Sequence, residues 1–362
     1  MSSTSVLSWF SQDYESARHK FLAECQARSI RIDSRLNPRA KGRNGEALYT
    51  DIALIGDPKA NKTLLLLSGT HGVEGYCGSA VQIGWLQQNR FGDLPDDVNV
   101  LMVHAMNPYG FSHDRRVTED NVDLNRNFID FSRLDLPGSR YGELHDFLLP
   151  QDWTGPRRAE ADEGLAKFIE ERGMEAFQAA VSSGQYHYPN GIFFGGNAPS
   201  WSNEMLHSVM TEYLTGKSAV GTIDFHTGLG PHGHGELITI GTDEQKSRAA
   251  RWYRGDVTDP EAGSSTSAPL DGMLAHGMMQ TLSEVELTFI TLEFGTFDVQ
   301  QVLRAVRGDN WLYERGDLDS PLAREIKRDI RNAFYPETDA WKLKVWERSN
   351  EVVQMALDGL AG

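Results

Sequence analysis

The chain has 362 residues and a formal net charge of −16, from 35 Lys and Arg against 51 Asp and Glu. That length supports a large buried core, and the acidity speaks against nucleic acid or an anionic membrane surface as the main partner. The two cysteines, Cys25 and Cys77, form no disulfide framework, Met1 to Phe21 has no basic start followed by an apolar stretch, and no run approaches the ~20 apolar residues of a membrane helix, so a cytoplasmic protein is expected.

In chain order, residues 5–28 predict a polar N-terminal helix, and Ala47 to Ile55 and Thr63 to Leu67 predict strands. Gly75 to Gln88 reads as a helix starting in a glycine turn, and Val98 to His104 as another buried strand. Asn107 to Asp130 is long, polar and irregular. Arg157 to Val181 predicts a helix, Gly191 to Phe194 a short strand, and Trp201 to Leu214 a helix with a Ser/Asn start. Strands follow at Val220 to Phe225, Glu236 to Ile240 and Thr288 to Leu292, with Arg248 to Gly255 ending a helix and Gly263 to Ala268 forming a Ser/Thr/Gly-rich loop. From Val299 the pattern is helical to the end, with breaks near Gly308 and Pro321. Strands alternating with helices, with no internal repeat and no clear linker, predict an α/β sandwich in one domain spanning 1–362. Its core lies at about 45–300 and its C-terminal helices at about 300–362.

The chemistry gathers at three strand ends. Leu64-Leu65-Leu66-Leu67 runs into Ser68-Gly69-Thr70-His71-Gly72-Val73-Glu74, and a His and a Glu three apart on a helical turn share one face. Thr222-Ile223-Asp224-Phe225 delivers His226, and Thr288 to Leu292 delivers Glu293. In open α/β sheets, ligands bind outside the carboxyl ends of strands. Two His and one Glu suit zinc, and three protein ligands leave a fourth position open for water, which marks a catalytic site. A separate carboxylate can take the water's proton, a role assigned to Glu293. Each residue also has a plainer reading: His-x-x-Glu pairs occur by chance, His226 could be a hydrogen-bonded core histidine, and Glu293 could pair with an arginine. Their shared position at the ends of core strands favours function, because a charge there is costly unless paired or used.

The polar stretch after Val98 to His104 carries Asn107-Pro108-Tyr109-Gly110-Phe111, Arg115-Arg116 and Asp123-Leu124-Asn125-Arg126-Asn127-Phe128. Arginine there can bind a carboxylate or steady an oxyanion, and an aspartate can fix a ligand histidine's tautomer. A solvated loop with ion pairs is the alternative. Other residues tempt less. His232 and His234 sit in a Gly/Pro turn. Cys77 reads as a small buried residue, His104 as hydrogen-bonded structure, and no Gly-x-Ser-x-Gly elbow is present.

His-x-x-Glu, Asn-Pro-x-Gly-Phe, Arg, Asp-x-Asn-Arg-Asn-Phe, then a strand-end His and a strand-end Glu, in that order from His71 to Glu293, resembles the zinc carboxypeptidase family of carboxypeptidase A type. Within it, the chain looks like the cytoplasmic, largely uncharacterised bacterial branch. The resemblance implies one α/β/α sandwich with a mixed, mostly eight-stranded sheet, and one Zn²⁺ per chain held by His71, Glu74 and His226. It also implies that Asp123 hydrogen-bonds to His71, that Arg116 (Arg115 second) polarises the scissile carbonyl, and that Asn125 and Arg126 grip a free carboxylate. Glu293 would be general base and then acid. The family's capping tyrosine has no counterpart in Pro269 to His276, where the alternatives are that His276 stands in, that Asp271 does, or that nothing does. The readings that follow are a metallocarboxypeptidase, a related zinc amidohydrolase acting on N-acyl amino acids or a peptidoglycan-derived amide, and a non-catalytic binding module. Segment 240–290 is expected to floor the specificity pocket.

Overall fold

A computed structural model describes residues 3–89, 91–132 and 140–362. Its centre is a mixed seven-stranded sheet: β1 (Ile32–Lys41), β2 (Ala47–Ile55), β3 (Lys62–Ser68), β4 (Val98–His104), β5 (Ala219–Gly228), β6 (Gly235–Thr239) and β7 (Glu286–Gly295). The spatial order is β1-β2-β4-β3-β5-β7-β6. The inner strands β4, β3, β5 and β7 run parallel, while β2 and β6 run against their neighbours. The eighth strand expected of the sheet is absent among the described residues. The segment Gly191 to Phe194 supplies only an isolated bridge from Phe194 to Gln185.

The leucine run shows why the sheet is central. Side chains alternate faces along a strand. Leu64 and Leu66 enter one core with Met102, Ile223 and Leu292. Leu65 and Leu67 enter the other with Val103, Val220 and Phe289. Both faces are therefore apolar and covered, as a parallel sheet requires. The helices Tyr14–Ala27, Gly75–Gln88 and Asp339–Ala361 cover the first face, and Trp201–Val209 and Leu274–Thr281 the second. The long C-terminal helix buries Trp341, Val345, Val352 and Val353 in that first core.

Several boundaries differ from the sequence expectation, each for a physical reason. The N-terminal helix is two pieces, Ser3–Leu7 and Tyr14–Ala27, because Asp13 caps a new start through a capping box with Ser16. The helix expected over Arg157 to Val181 breaks at Gly173 into Pro156–Arg172 and Met174–Ser182. Gly308 does not break Val299–Arg315. It makes room for Trp153, whose ring carbon would lie 3.0 Å from an added Cβ. Strand β1 escaped notice because it is a polar edge strand containing Pro38, without an apolar alternation.

Where β3 ends, the chain turns sharply under the loop that follows β4. Gly72 N donates to Arg116 O at 3.1 Å and Val73 N to Arg115 O at 2.8 Å. A Cβ on Gly72 would lie 2.0 Å from the Gly110 carbonyl carbon, so only glycine permits this crossing. Gly72→Ala is expected to cost about 1–3 kcal/mol of stability, read as a lower urea midpoint; an unchanged midpoint would contradict the tight crossing.

Candidate metal centre

The strand order fixes which ends meet. β3 lies beside β5, and β5 beside β7 in a register that sets His226 against Glu293. His71 and Glu74 stand just beyond β3, so His71, Glu74 and His226 converge with ligand atoms within 4.8 Å of one another. All three are buried.

The outer nitrogens of both rings are already committed. His71 Nε2 lies 3.0 Å from Asp123 Oδ1, and His226 Nε2 lies 2.7 Å from Asp224 Oδ2. Thr70 Oγ1 donates to the other Asp224 oxygen at 2.8 Å. A carboxylate accepts, so each Nε2 carries the ring proton and each Nδ1 turns a lone pair inward. Those two Nδ1 atoms face each other at 3.1 Å. Glu74 Oε1 lies 2.9 Å from His71 Nδ1, and its Oε2 3.1 Å from His226 Nδ1. Three electron-pair donors pointed at one buried spot repel unless a cation or protons join them.

The charges around this spot act strongly on one another. Glu74, Asp123, Asp224 and Glu293 are buried carboxylates around this spot, and the guanidiniums near them are Arg116 and Arg126. Burial works to raise the Glu74 carboxyl, but the two imidazoles hold it far below the usual carboxylate range. Burial opposes charge on His226, yet Asp224 and Glu74 outweigh it and raise the ring well above its ordinary value. Asp123 is held low, against burial, by Arg116 and His71. Glu293 goes the other way: burial first, then the Glu74 carboxylate, push it up to about 8. The donor set fits a divalent metal such as zinc.

The loop after β4 supplies the back wall. Arg116 donates from Nη1 to Glu74 Oε1 at 2.9 Å and from Nε to Asp123 Oδ2 at 3.0 Å, so it ties a ligand to the residue orienting another. Asp123 Oδ1 also accepts Asn125 N at 3.0 Å. Arg126 is held by Ser182 O and Asn125 O, and Asn125 Oδ1 accepts Leu274 N. Glu293 Oε1 accepts Leu229 N at 2.9 Å. Arg116, Asn125, Arg126 and Glu293 line one cavity of about 440 Å³ together with His71, Glu74 and His226.

Two expected substrate residues are not brought there. Arg115 points opposite to Arg116, its neighbour in the loop. Its Nε pairs with Asp309 at 2.9 Å and its guanidinium lies 3.7 Å over the Tyr313 ring, buried on the far side. His276, on Leu274–Thr281, is not among the residues lining the cavity. Cys77 is fully buried, with its thiol raised by burial, and His104 stacks on Phe21 with Nε2 2.9 Å from Ser79 Oγ. His232 Nδ1 lies 2.7 Å from Thr296 O in its turn. Asp224 was missed, although Asp224-Phe225-His226 carried the signal: residues two apart on a strand share a face. Segment 240–290 contributes Ile240, Pro260, Leu270 and Met273 to the cavity. The helical wall opposite, from 165 to 181 and 299 to 306, had no such signal.

The family described as "Protein of unknown function (DUF2817)" matches residues 10–348. The chain belongs to that family. Among curated proteins, an octanoyltransferase of Porphyromonas gingivalis is 28% identical over 128 residues, 32% of this chain; the match spans only about a quarter, 26%, of that protein's length. Among solved structures, carboxypeptidase A from Helicoverpa armigera is similar at 14% identity and a TM-score of 0.46, over 90% of this chain and 75% of that one. Bovine thrombin-activatable fibrinolysis inhibitor is similar at 10% identity and a TM-score of 0.42, over 95% and 97%. Among the described residues, no helix is long and apolar enough to cross a membrane.

If the aspartates set the tautomers, Asp224→Asn should weaken zinc binding by roughly 10–100-fold. Competition against a chelator measures this, and an unchanged affinity would remove Asp224 from the site.

Proposed function

We propose that this protein is a zinc-dependent amidohydrolase of carboxypeptidase type, which cleaves the amide bond to an amino acid bearing a free carboxylate. The observation that carries the reading is the inward convergence of two Nδ1 lone pairs and the Glu74 carboxylate, with Glu293 in the same cavity. His71, Glu74 and His226 would hold one zinc ion. Zinc, when bound, acidifies a water molecule and polarises a carbonyl.

The chain's own residues do the rest. Asp123 and Asp224 hold the imidazoles in the ligating tautomer. Glu293 stands in the cavity, fixed by the Leu229 amide, where its carboxylate accepts the proton of the attacking water and returns it to the leaving amine. Arg116 holds Glu74 in place, and its guanidinium also faces the cavity, where it can steady the negative oxygen that forms as the carbonyl is attacked. Asn125 and Arg126 receive the substrate carboxylate. Arg126 keeps guanidinium hydrogens beyond those given to Ser182 and Asn125, and its burial favours a bidentate anion.

The acyl side of the bond separates two substrates: a peptide, or an N-acyl amino acid. Both use the same zinc, base and carboxylate anchor.

Glu293→Gln is expected to cut turnover of a carboxyl-terminal amide by about 10²–10⁴-fold while zinc remains bound one per chain. Mass spectrometry of products together with metal analysis checks both. Turnover surviving in this variant, or zinc lost with it, would overturn the assignment of the base.

A further inference from the structure

The cavity is not evenly polar. Beyond the metal cluster, one stretch of wall is built by Leu165, Ile169, Phe177, Val181, Val302 and Val306. These side chains belong to a hydrophobic cluster of their own at the mouth of the sheet, apart from the two cores that the sheet itself buries. Phe334 joins that cluster to the centre: its ring lies beside Gly228, and the Arg116 guanidinium is 5.9 Å from it.

This wall offers little to a peptide. It comes from the helices Pro156–Arg172, Met174–Ser182 and Val299–Arg315, whose backbone groups are paired within the helices. Among its charged residues, Asp162 pairs with Arg158 at 2.8 Å and with Arg307 at 2.8 Å, while Gln178, Gln300 and Arg304 stand at its polar margin. A peptide running along the Leu165, Phe177, Val181, Val302 and Val306 stretch would leave amide N–H and C=O groups there without partners, which is costly in a buried place. A hydrocarbon chain meets no such cost.

The rim agrees. Among the described residues, the large apolar side chains left exposed are Leu36, Phe147, Met174, Val299 and Leu318. Met174 and Val299 both line this cavity. An apolar rim opening on an apolar wall suits a ligand that covers both. The other apolar stretch, with Ile238, Pro260 and Met273, leaves room for the amino-acid side chain.

We propose that the acyl group of the substrate is a long hydrocarbon chain lying along the Leu165, Phe177, Val181, Val302 and Val306 wall, so that the protein acts on N-(long-chain acyl) amino acids. The proposal rests on the hydrolase reading above for the bond that is cut, but it concerns binding and is tested by binding. Amide hydrolysis then adds one water, releasing a fatty acid and a free amino acid.

Calorimetry on zinc-loaded Glu293→Gln protein measures Kd for acetyl-, octanoyl- and decanoyl-leucine, with tetra-alanyl-leucine as a peptide of comparable length. Each buried methylene is expected to tighten binding about fourfold, giving roughly 10⁴–10⁵-fold between acetyl and decanoyl when all eight are buried, with the peptide no tighter than acetyl-leucine. Phe177→Ala should flatten that dependence on chain length. A Kd independent of chain length, or a peptide that binds more tightly than decanoyl-leucine, would overturn the proposal. The same ligands offered to the wild-type protein judge the parent reading separately: chain-length-dependent binding without cleavage would sustain the acyl site and remove the hydrolase.

Discussion

Two imidazole lone pairs and a carboxylate aimed at one buried point are the constraint around which the upper end of this molecule is organised. Donors of one kind repel each other, and burial deprives them of water, so the geometry holds only with a cation or with protons between them. Asp123 and Asp224 accept the outer ring protons, which leaves the inward Nδ1 atoms as the positions where a cation or protons must sit. The adjacency of β3 and β5 then becomes a requirement of the site, because it alone brings His71 and His226 within reach. The glycine crossing at Gly72 has the same origin: it lets the loop carrying Arg116 and Asp123 pass directly behind the ligands.

The apolar wall beside this centre changes its electrostatics as well as its shape. Low-polarity lining strengthens every charge interaction near it. Glu293 shows the effect, since burial is the first cause of its high proton affinity and the Glu74 carboxylate the second. A cation at the cluster offsets Glu74 and favours the ionised form that a base needs. Arg116 works in the same sense from behind, so one guanidinium serves both Glu74 and the aspartate that orients His71.

Much of this was legible in the sequence because the signals were local. Continuous apolar runs marked β3, β4, β5 and β7, since strands buried on both faces need no polar alternation. The strand-end positions of His71, His226 and Glu293 followed from the same runs. What stayed hidden depended on contacts remote in sequence. Arg115 and Arg116 are adjacent and chemically alike, and only the path of the loop sends one to Asp309 and the other to Glu74. The helical wall comes from segments more than a hundred residues apart, each readable alone only as an amphipathic helix. The polar edge strand β1 lacked the alternation that would have announced it, and Gly308 looked like a helix break until Trp153 was seen against it.

The most direct test is X-ray absorption at the zinc edge on protein loaded with one equivalent of metal. Two imidazole nitrogens at about 2.0–2.1 Å and carboxylate or water oxygen in a shell of low coordination number are expected, with the imidazole signal reduced by half in His226→Ala. A shell of oxygens alone, or one unchanged by that substitution, would contradict a centre built from His71, Glu74 and His226.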